Sequence, residues 1–158
     1  PAVVNSVKIP VIAAGGIATG RQMLAAMVLG AEGVQVGSRF VASEEASAHI
    51  HFKNKVIQSQ EGDTQLMMKK LTPVRLLRNN FFDKVLAAEQ RGATHEELKN
   101  ILGRARAKQG MFEGDMDEGE LEIGQVSALI REILPAETIV KNMVKEFEEA
   151  LKHPIKML

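Results

Sequence analysis

Cysteine, tryptophan and tyrosine are all absent from this 158-residue sequence. Without cysteine there can be no disulfide, no thiolate metal site and no cysteine nucleophile. The same absence fits a reducing compartment, so a cytoplasmic location is expected. With six phenylalanines as the whole aromatic complement, stacking platforms for single-stranded nucleic acid are scarce. No apolar run reaches transmembrane length. Formal net charge is +0, which removes any broad electrostatic pull toward nucleic acid or a membrane. What remains is ordinary: 45% hydrophobic and 25% charged residues, in a length that suits one globular domain.

The stretch from Ile9 to Phe40 organises the chain. An apolar run, Ile9–Ala14, predicts a strand ending in Gly15-Gly16. Pro10 near its start is tolerated there. A helix follows from Thr19 or Gly20 through Arg21 to Leu29, with Met23, Leu24, Met27 and Val28 on its apolar face. Gly30 stops it, and a second short strand, Gly33–Val36, ends in Gly37-Ser38. Strand, glycine turn, helix, strand and glycine turn together describe a parallel βαβ unit.

That topology has a chemical consequence. A right-handed crossover brings the C-terminal ends of both strands to one edge, so the two glycine turns emerge side by side. Glycine lets backbone approach a ligand closely and adopt positive φ. Exposed N–H groups in such turns attract anions, and Ser38 adds a hydroxyl donor. A phosphate between the turns is the simplest proposal, and (β/α)8 barrels often carry one in the loops after strands seven and eight. Glycine is also what a tight βα turn needs for its own sake, and neither a G-x-G-x-x-G fingerprint nor a P-loop lysine motif is present.

Only these two strands read as core strands, and a two-stranded parallel sheet cannot bury both its faces. A barrel takes about 250 residues. The chain is therefore expected to be the C-terminal part of a larger protein, with the first six strands elsewhere. Expressed alone, the segment should be poorly folded and inactive.

Pro1–Lys8 reads as the tail of a helix. Ser43-Glu44-Glu45 looks like the start of a helix running to about Gln58. Gly62-Asp63 is a turn, and Thr64–Leu71 is a short strand or an irregular arm. Phe81–Gln90 is a helix, and Thr94-His95-Glu96-Glu97 is a capping box opening the next, which ends near Leu102-Gly103. Ala105–Gln109 adds a turn. An acidic loop, Glu113–Glu122, precedes a helix from about Ile123 to Ile133. Pro135 interrupts, and Glu137–Leu151 is the last helix, with Ile139, Val140, Met143, Val144, Phe147 and Leu151 as its apolar stripe. Two regions follow: 1–60, the end of a barrel, and 61–158, a mainly helical C-terminal extension.

Other constellations are weaker. His49 and His51, two apart on a helix, point different ways, while His95 sits in a capping box and His153 near the C-terminus. Surface or capping roles suit all four, and no metal site is expected. The acidic loop fails the EF-hand count, because Val126 stands where a glutamate is needed. Lys69, Lys70, Arg75 and Arg78 read as a solvated face, and Met67, Met68 and Met111 as ordinary core.

The motifs Val11–Ala18 and Gly30–Phe40, continued by Ser47-Ala48-His49, Lys53, Leu66–Lys69, Arg78-Asn79, Ala88–Gly92 and Gly114-Asp115, resemble the nitronate monooxygenase (2-nitropropane dioxygenase-like) family. That family includes enoyl-acyl-carrier-protein reductase II. The resemblance implies an α/β fold: the C-terminal portion of a TIM (β/α)8 barrel, its last two strands and their helices, with a helical extension. It also implies non-covalent FMN, with the phosphate held by Ala14, Gly15 and Gly16 and by Gly37 and Ser38. The family commonly has Thr at the Ser38 position, and the hydroxyl is retained. Its active-site histidine lies in a Gly-Gly-His segment that this sequence lacks, so no catalytic residue is assigned.

The activity so implied is an FMN-dependent oxidation of nitronates or nitroalkanes with dioxygen. The first alternative is an FMN-dependent enoyl reductase with NAD(P)H as co-substrate in fatty acid synthesis. A second alternative, of another class, is a barrel that binds phosphate without redox chemistry. Expected partners are a small-molecule substrate, the N-terminal part of the same barrel and a second copy in a homodimer, with no nucleic acid and no membrane.

Overall fold

The computed structural model describes residues 1–152. They form two compact units: Pro1–Ala46 with the stretch from Glu132 onward, and Ser47–Arg131. The expected boundary between residues 60 and 61 falls inside the second of these. Ile50–Gln58 packs with Lys108–Phe112 and Gln125–Leu129 in the second unit, and the last helix, Ala136–Lys152, returns to pack on Gly20–Val28 in the first.

In the first unit a short helix α1 (Ala2–Ser6) leads to β1 (Ile12–Ala14). Helix α2 (Gly20–Val28) follows, then β2 (Gly33–Gln35) and a one-turn helix α3 (Ser38–Val41). Strands β1 and β2 pair in parallel, Ile12 with Gly33, Ala13 with Val34 and Ala14 with Gln35. Thr19 caps α2 in a full capping box with Gln22. The strands are shorter than the apolar runs that announced them, since Ile9 to Val11 lie outside the ladder. Ile9 and Ile12 stay 70% and 54% exposed.

Ser43–Glu45 does not start a helix. Ser43 forms a parallel bridge with Leu134, and the Glu45 carboxylate accepts the Ala136 N–H at 2.8 Å. Glu45 thus caps another helix, α7 (Ala136–Lys152), instead of opening its own. Within this unit Ile17, Ile139 and Met143 form the buried centre, with Ala13, Met23, Val34 and Phe40 packed around it. Ile139 and Met143 are the buried part of the α7 stripe, while Val140, Val144 and Leu151 remain exposed.

The second unit begins with α4 (Ile50–Gln58) and an antiparallel hairpin, β3 (Thr64–Met67) with β4 (Val74–Leu77). The hairpin is an addition to the expected helical content. Pro73 and the arginines at 75 and 78 hide β4 in the sequence, and its burial does not alternate: Leu76 and Leu77 are both buried. Leu121–Ile123 runs beside β4: Leu77 N donates to Leu121 O and Ile123 N to Arg75 O, at 2.9 and 3.1 Å. That extended pairing is why the expected helix from Ile123 to Ile133 is reduced to a 3-10 stretch, Gln125–Leu129.

Helices α5 (Asn80–Gln90) and α6 (His95–Leu102) form as expected. The Thr94–Glu97 capping box is present in full. A π-helical turn, Lys108–Phe112, replaces the single turn expected at Ala105–Gln109. The core of this unit is Met67, Met68, Leu76, Phe81, Phe82, Val85, Ala88, Ala93 and Leu98. The two methionines are core, as expected. Among the described residues no helix is long and apolar enough to cross a membrane.

Candidate functional site

Parallel register puts Ala14 beside Gln35, so the backbones leaving β1 and β2 run off the same edge of the ladder. Gly15 and Gly16 follow Ala14 with φ of +90° and +72°, a conformation only glycine adopts without strain. A Cβ added to Gly15, Gly16 or Gly37 would meet nothing within 4 Å. Ala14, Gly15, Gly16 and Gly37 are exposed, and Ser38 is half-buried as the first residue of α3. The five positions expected to hold phosphate therefore lie on two adjacent corners with open space over their glycines.

Flanking donors are committed elsewhere. The N–H groups of Ala18 and Thr19 donate to Gln22 Oε1 at 2.9 and 3.1 Å. The Gly20 N–H donates to Glu146 Oε2 at 2.8 Å. The end of α2 is thus satisfied from within the unit. Arg39, next to Ser38, is buried and donates to Glu132 O at 3.1 Å. Burial pulls its guanidinium below the ordinary arginine pKa, and the carboxylates of Glu132 and Glu146 pull the other way. No role was read for Gln22, Arg39 or Glu146 in the sequence. Thr19-x-x-Gln22 carried a capping signal, but nothing local marks Glu146, whose partner is 126 positions away.

The histidines take the small roles expected of them, with one change of geometry. His49 lies at the cap of α4, not within it, and its Nδ1 accepts the His51 N–H at 3.2 Å. The two rings therefore meet edge-on with centroids 4.6 Å apart instead of pointing apart. His51 Nδ1 lies 3.4 Å from Gly114 O. His153 lies outside the described residues. In the acidic loop, Asp115 Oδ1 accepts the N–H groups of Asp117 and Glu118. Those bonds hold the Asp115 carboxyl below the usual range, the Glu118 N–H contributing most. Among the described residues no group of acids and histidines is arranged to hold a metal ion. The basic side chains are engaged locally: Arg75 donates to Thr64 O, Lys70 to Ala93 O, and Arg78 pairs with Asp83.

The model of the family described as nitronate monooxygenase matches residues 1–146. The chain belongs to the nitronate monooxygenase family. A probable nitronate monooxygenase of Staphylococcus saprophyticus is 35% identical over 153 residues, covering 96% of this chain and 42% of that protein. Among solved structures, FabK from Thermotoga maritima matches with a TM-score of 0.89 and 40% identity, over 96% of this chain and 48% of FabK. A nitroalkane oxidase from Streptomyces ansochromogenes matches with a TM-score of 0.73 and 30% identity, covering 96% of this chain and 43% of the oxidase. This member of the nitronate monooxygenase family thus spans less than half the length of each of these relatives. The monooxygenase and the oxidase are oxidoreductases by name, and the α/β architecture found here is consistent with part of a barrel.

Proposed function

We propose that this chain supplies the flavin-phosphate half of an FMN-dependent oxidoreductase of nitronate monooxygenase type. The observation that carries the reading is the pair of open glycine corners at the common edge of β1 and β2. Ala14, Gly15 and Gly16 on one corner, and Gly37 and Ser38 on the other, would hold the FMN phosphate. When bound, the flavin supplies the redox chemistry. The residues of this chain bind and orient: backbone comes close at the glycines, and the Ser38 hydroxyl offers a donor.

The same reading makes β1 and β2 the last two strands of a (β/α)8 barrel. Parallel strands are ordinarily covered on both faces, and an Ile12 left 54% exposed calls for neighbouring strands in the intact protein. In that protein the second unit forms the greater part of the extension beyond the barrel. The substrate is a nitronate or nitroalkane oxidised with dioxygen, in the cytoplasm.

The similarity to FabK favours a second activity on the same site. In it NAD(P)H is the reductant and an enoyl thioester the acceptor. One experiment separates the two. The intact protein, purified and released of its flavin for identification as FMN, is mixed anaerobically with substrate. Bleaching of the flavin by a nitronate supports the first activity. Bleaching by NAD(P)H, reversed by an enoyl thioester, supports the second. A colourless protein that takes up no FMN overturns both and leaves a phosphate-binding barrel without redox chemistry.

A further inference from the structure

The corner Gly15–Gly16 has little of its own to hold it. Both glycines sit at positive φ, and apart from their chain neighbours nothing lies within 4 Å of where a side chain would begin. Its shape must come from its flanks. On one side is the β1–β2 ladder. On the other are the buried residues Ile17 and Ala18 and the first turn of α2.

That first turn is gripped from α7. The Gly20 N–H donates to Glu146 Oε2 at 2.8 Å. A Cβ on Gly20 would overlap Met143 O and Phe147 N and would stand 2.7 Å from Glu146 Cβ. Only glycine lets the α7 backbone come so near, and this approach brings the carboxylate onto the helix end. A negative side chain there also suits the positive end of the α2 dipole.

We propose that Glu146 is a positioning residue for the candidate flavin-phosphate site: by pinning Gly20 it fixes the Gly15–Gly16 corner in the conformation that receives the phosphate. The proposal rests on the FMN reading above. Glu146 also acts electrostatically on Arg39, which adjoins Ser38 of the second corner and is anchored to Glu132 O and Ala42 O. One carboxylate on α7 thus bears on the segments that follow both corners. It touches no ligand, and its role is to hold shape.

Shape and charge make opposite predictions. Removing a carboxylate near an anion site strengthens anion binding by Coulomb's law alone. Loss of a positioning bond weakens it. The test uses apoprotein prepared from the intact protein, titrated with FMN and with riboflavin by flavin fluorescence. Riboflavin carries the same ring system without the phosphate. For Glu146→Ala, which leaves the Gly20 N–H without its acceptor, we expect FMN to bind about fivefold more weakly, the weight of a helix-end hydrogen bond, with riboflavin unchanged. Glu146→Gln, whose amide oxygen still accepts, should stay near the parent. FMN binding that is unchanged or tighter in Glu146→Ala overturns the proposal. So does equal weakening of FMN and riboflavin, which marks a general structural role. Should Glu146→Ala fail to fold, the FMN-to-riboflavin ratio in Glu146→Asp, which keeps the charge at shorter reach, decides by the same criteria. A parent protein that binds FMN no better than riboflavin removes the phosphate reading itself, and this proposal falls with it.

Discussion

Ala14 and Gln35 are partners in parallel register at the ends of two three-residue strands. Within two residues of that pair the chain turns twice, at Gly15–Gly16 and at Gly37. Ladders this short leave little room for slippage, because a one-residue shift would turn the side chains of β1 to the opposite face. The geometry of the corners is therefore tied to the pairing of Ala13 with Val34, both of which pack on the buried centre of the unit.

Gly37 offers a clean test of the ligand assignment. Its φ of −107° is available to any residue, and a Cβ there meets no protein atom within 4 Å. Gly37→Val should leave the stability of the intact apoprotein within about 0.5 kcal/mol of the parent. The added bulk should nevertheless lower FMN affinity by about tenfold, the scale of an overpacked contact. Flavin occupancy after purification and denaturant unfolding of the apoprotein measure the two quantities separately. Occupancy at the parent level would remove Gly37 from the site.

Asn79 does more than cap α5. Its Oδ1 accepts the Phe82 N–H at 2.9 Å, and its Nδ2 donates to Met116 O and Gly119 O at 3.0 and 2.8 Å. Aspartate is as good an N-cap as asparagine, but it has no donor for the two carbonyls. Asn79→Asp should therefore destabilise the protein by about 2 kcal/mol, the cost of leaving acceptors unmet beside a carboxylate. Urea unfolding of the intact protein reads this. A loss under about 0.5 kcal/mol would mean that capping alone is the role of Asn79.

Local signals are legible in the sequence and distant ones are not. The cap at Thr94, the strand–glycine–helix–strand order and the last helix all follow from residues within one or two turns of each other. The five candidate phosphate positions belong to that local pattern. Two readings failed because a remote partner changed the outcome. Glu45 turned to cap α7, and Leu121–Ile123 paired with β4. Glu146 was illegible for the same reason, since its function is defined by Gly20. The β4 strand hid behind Pro73 and two arginines, one of which, Arg75, bonds to Thr64 across the hairpin.

Gly119 sits against Gly110, and the contact is backbone to backbone. A Cβ on Gly119 would overlap Gly110 Cα and Asp115 O, and one on Gly110 would lie 2.7 Å from Glu120 O. No side-chain rotation can relieve either clash. Gly119→Ala should cost about 2–3 kcal/mol in urea unfolding of the intact protein, within the range for overpacking. Gly62→Ala serves as the control. Gly62 has open space for a Cβ, and its φ of +88° carries only the backbone penalty of about 1 kcal/mol. Equal losses in the two variants would show that the 110–119 packing is not as close as described.

Glu120 should make stability depend on pH in the direction opposite to a salt-bridged acid. Its side chain is 7% exposed. Burial pushes its pKa from 4.5 up to about 7, the Glu122 carboxylate adds to the rise, and Arg106 opposes it. Between the unfolded and folded values the native state holds more protons than the unfolded chain, so stability falls as pH rises through that window. Above about pH 7 both states are ionised and the penalty is constant. Glu120→Gln is neutral at every pH. It should match the parent near pH 4 and exceed it by about 1–3 kcal/mol at pH 8, once each pH unit is weighted at about 1.4 kcal/mol and the result discounted for relaxation. Urea unfolding of parent and variant at the two pH values checks the difference. A difference between them that is the same at pH 4 and pH 8 would show that folding leaves the Glu120 pKa unchanged, with Arg106 offsetting its burial.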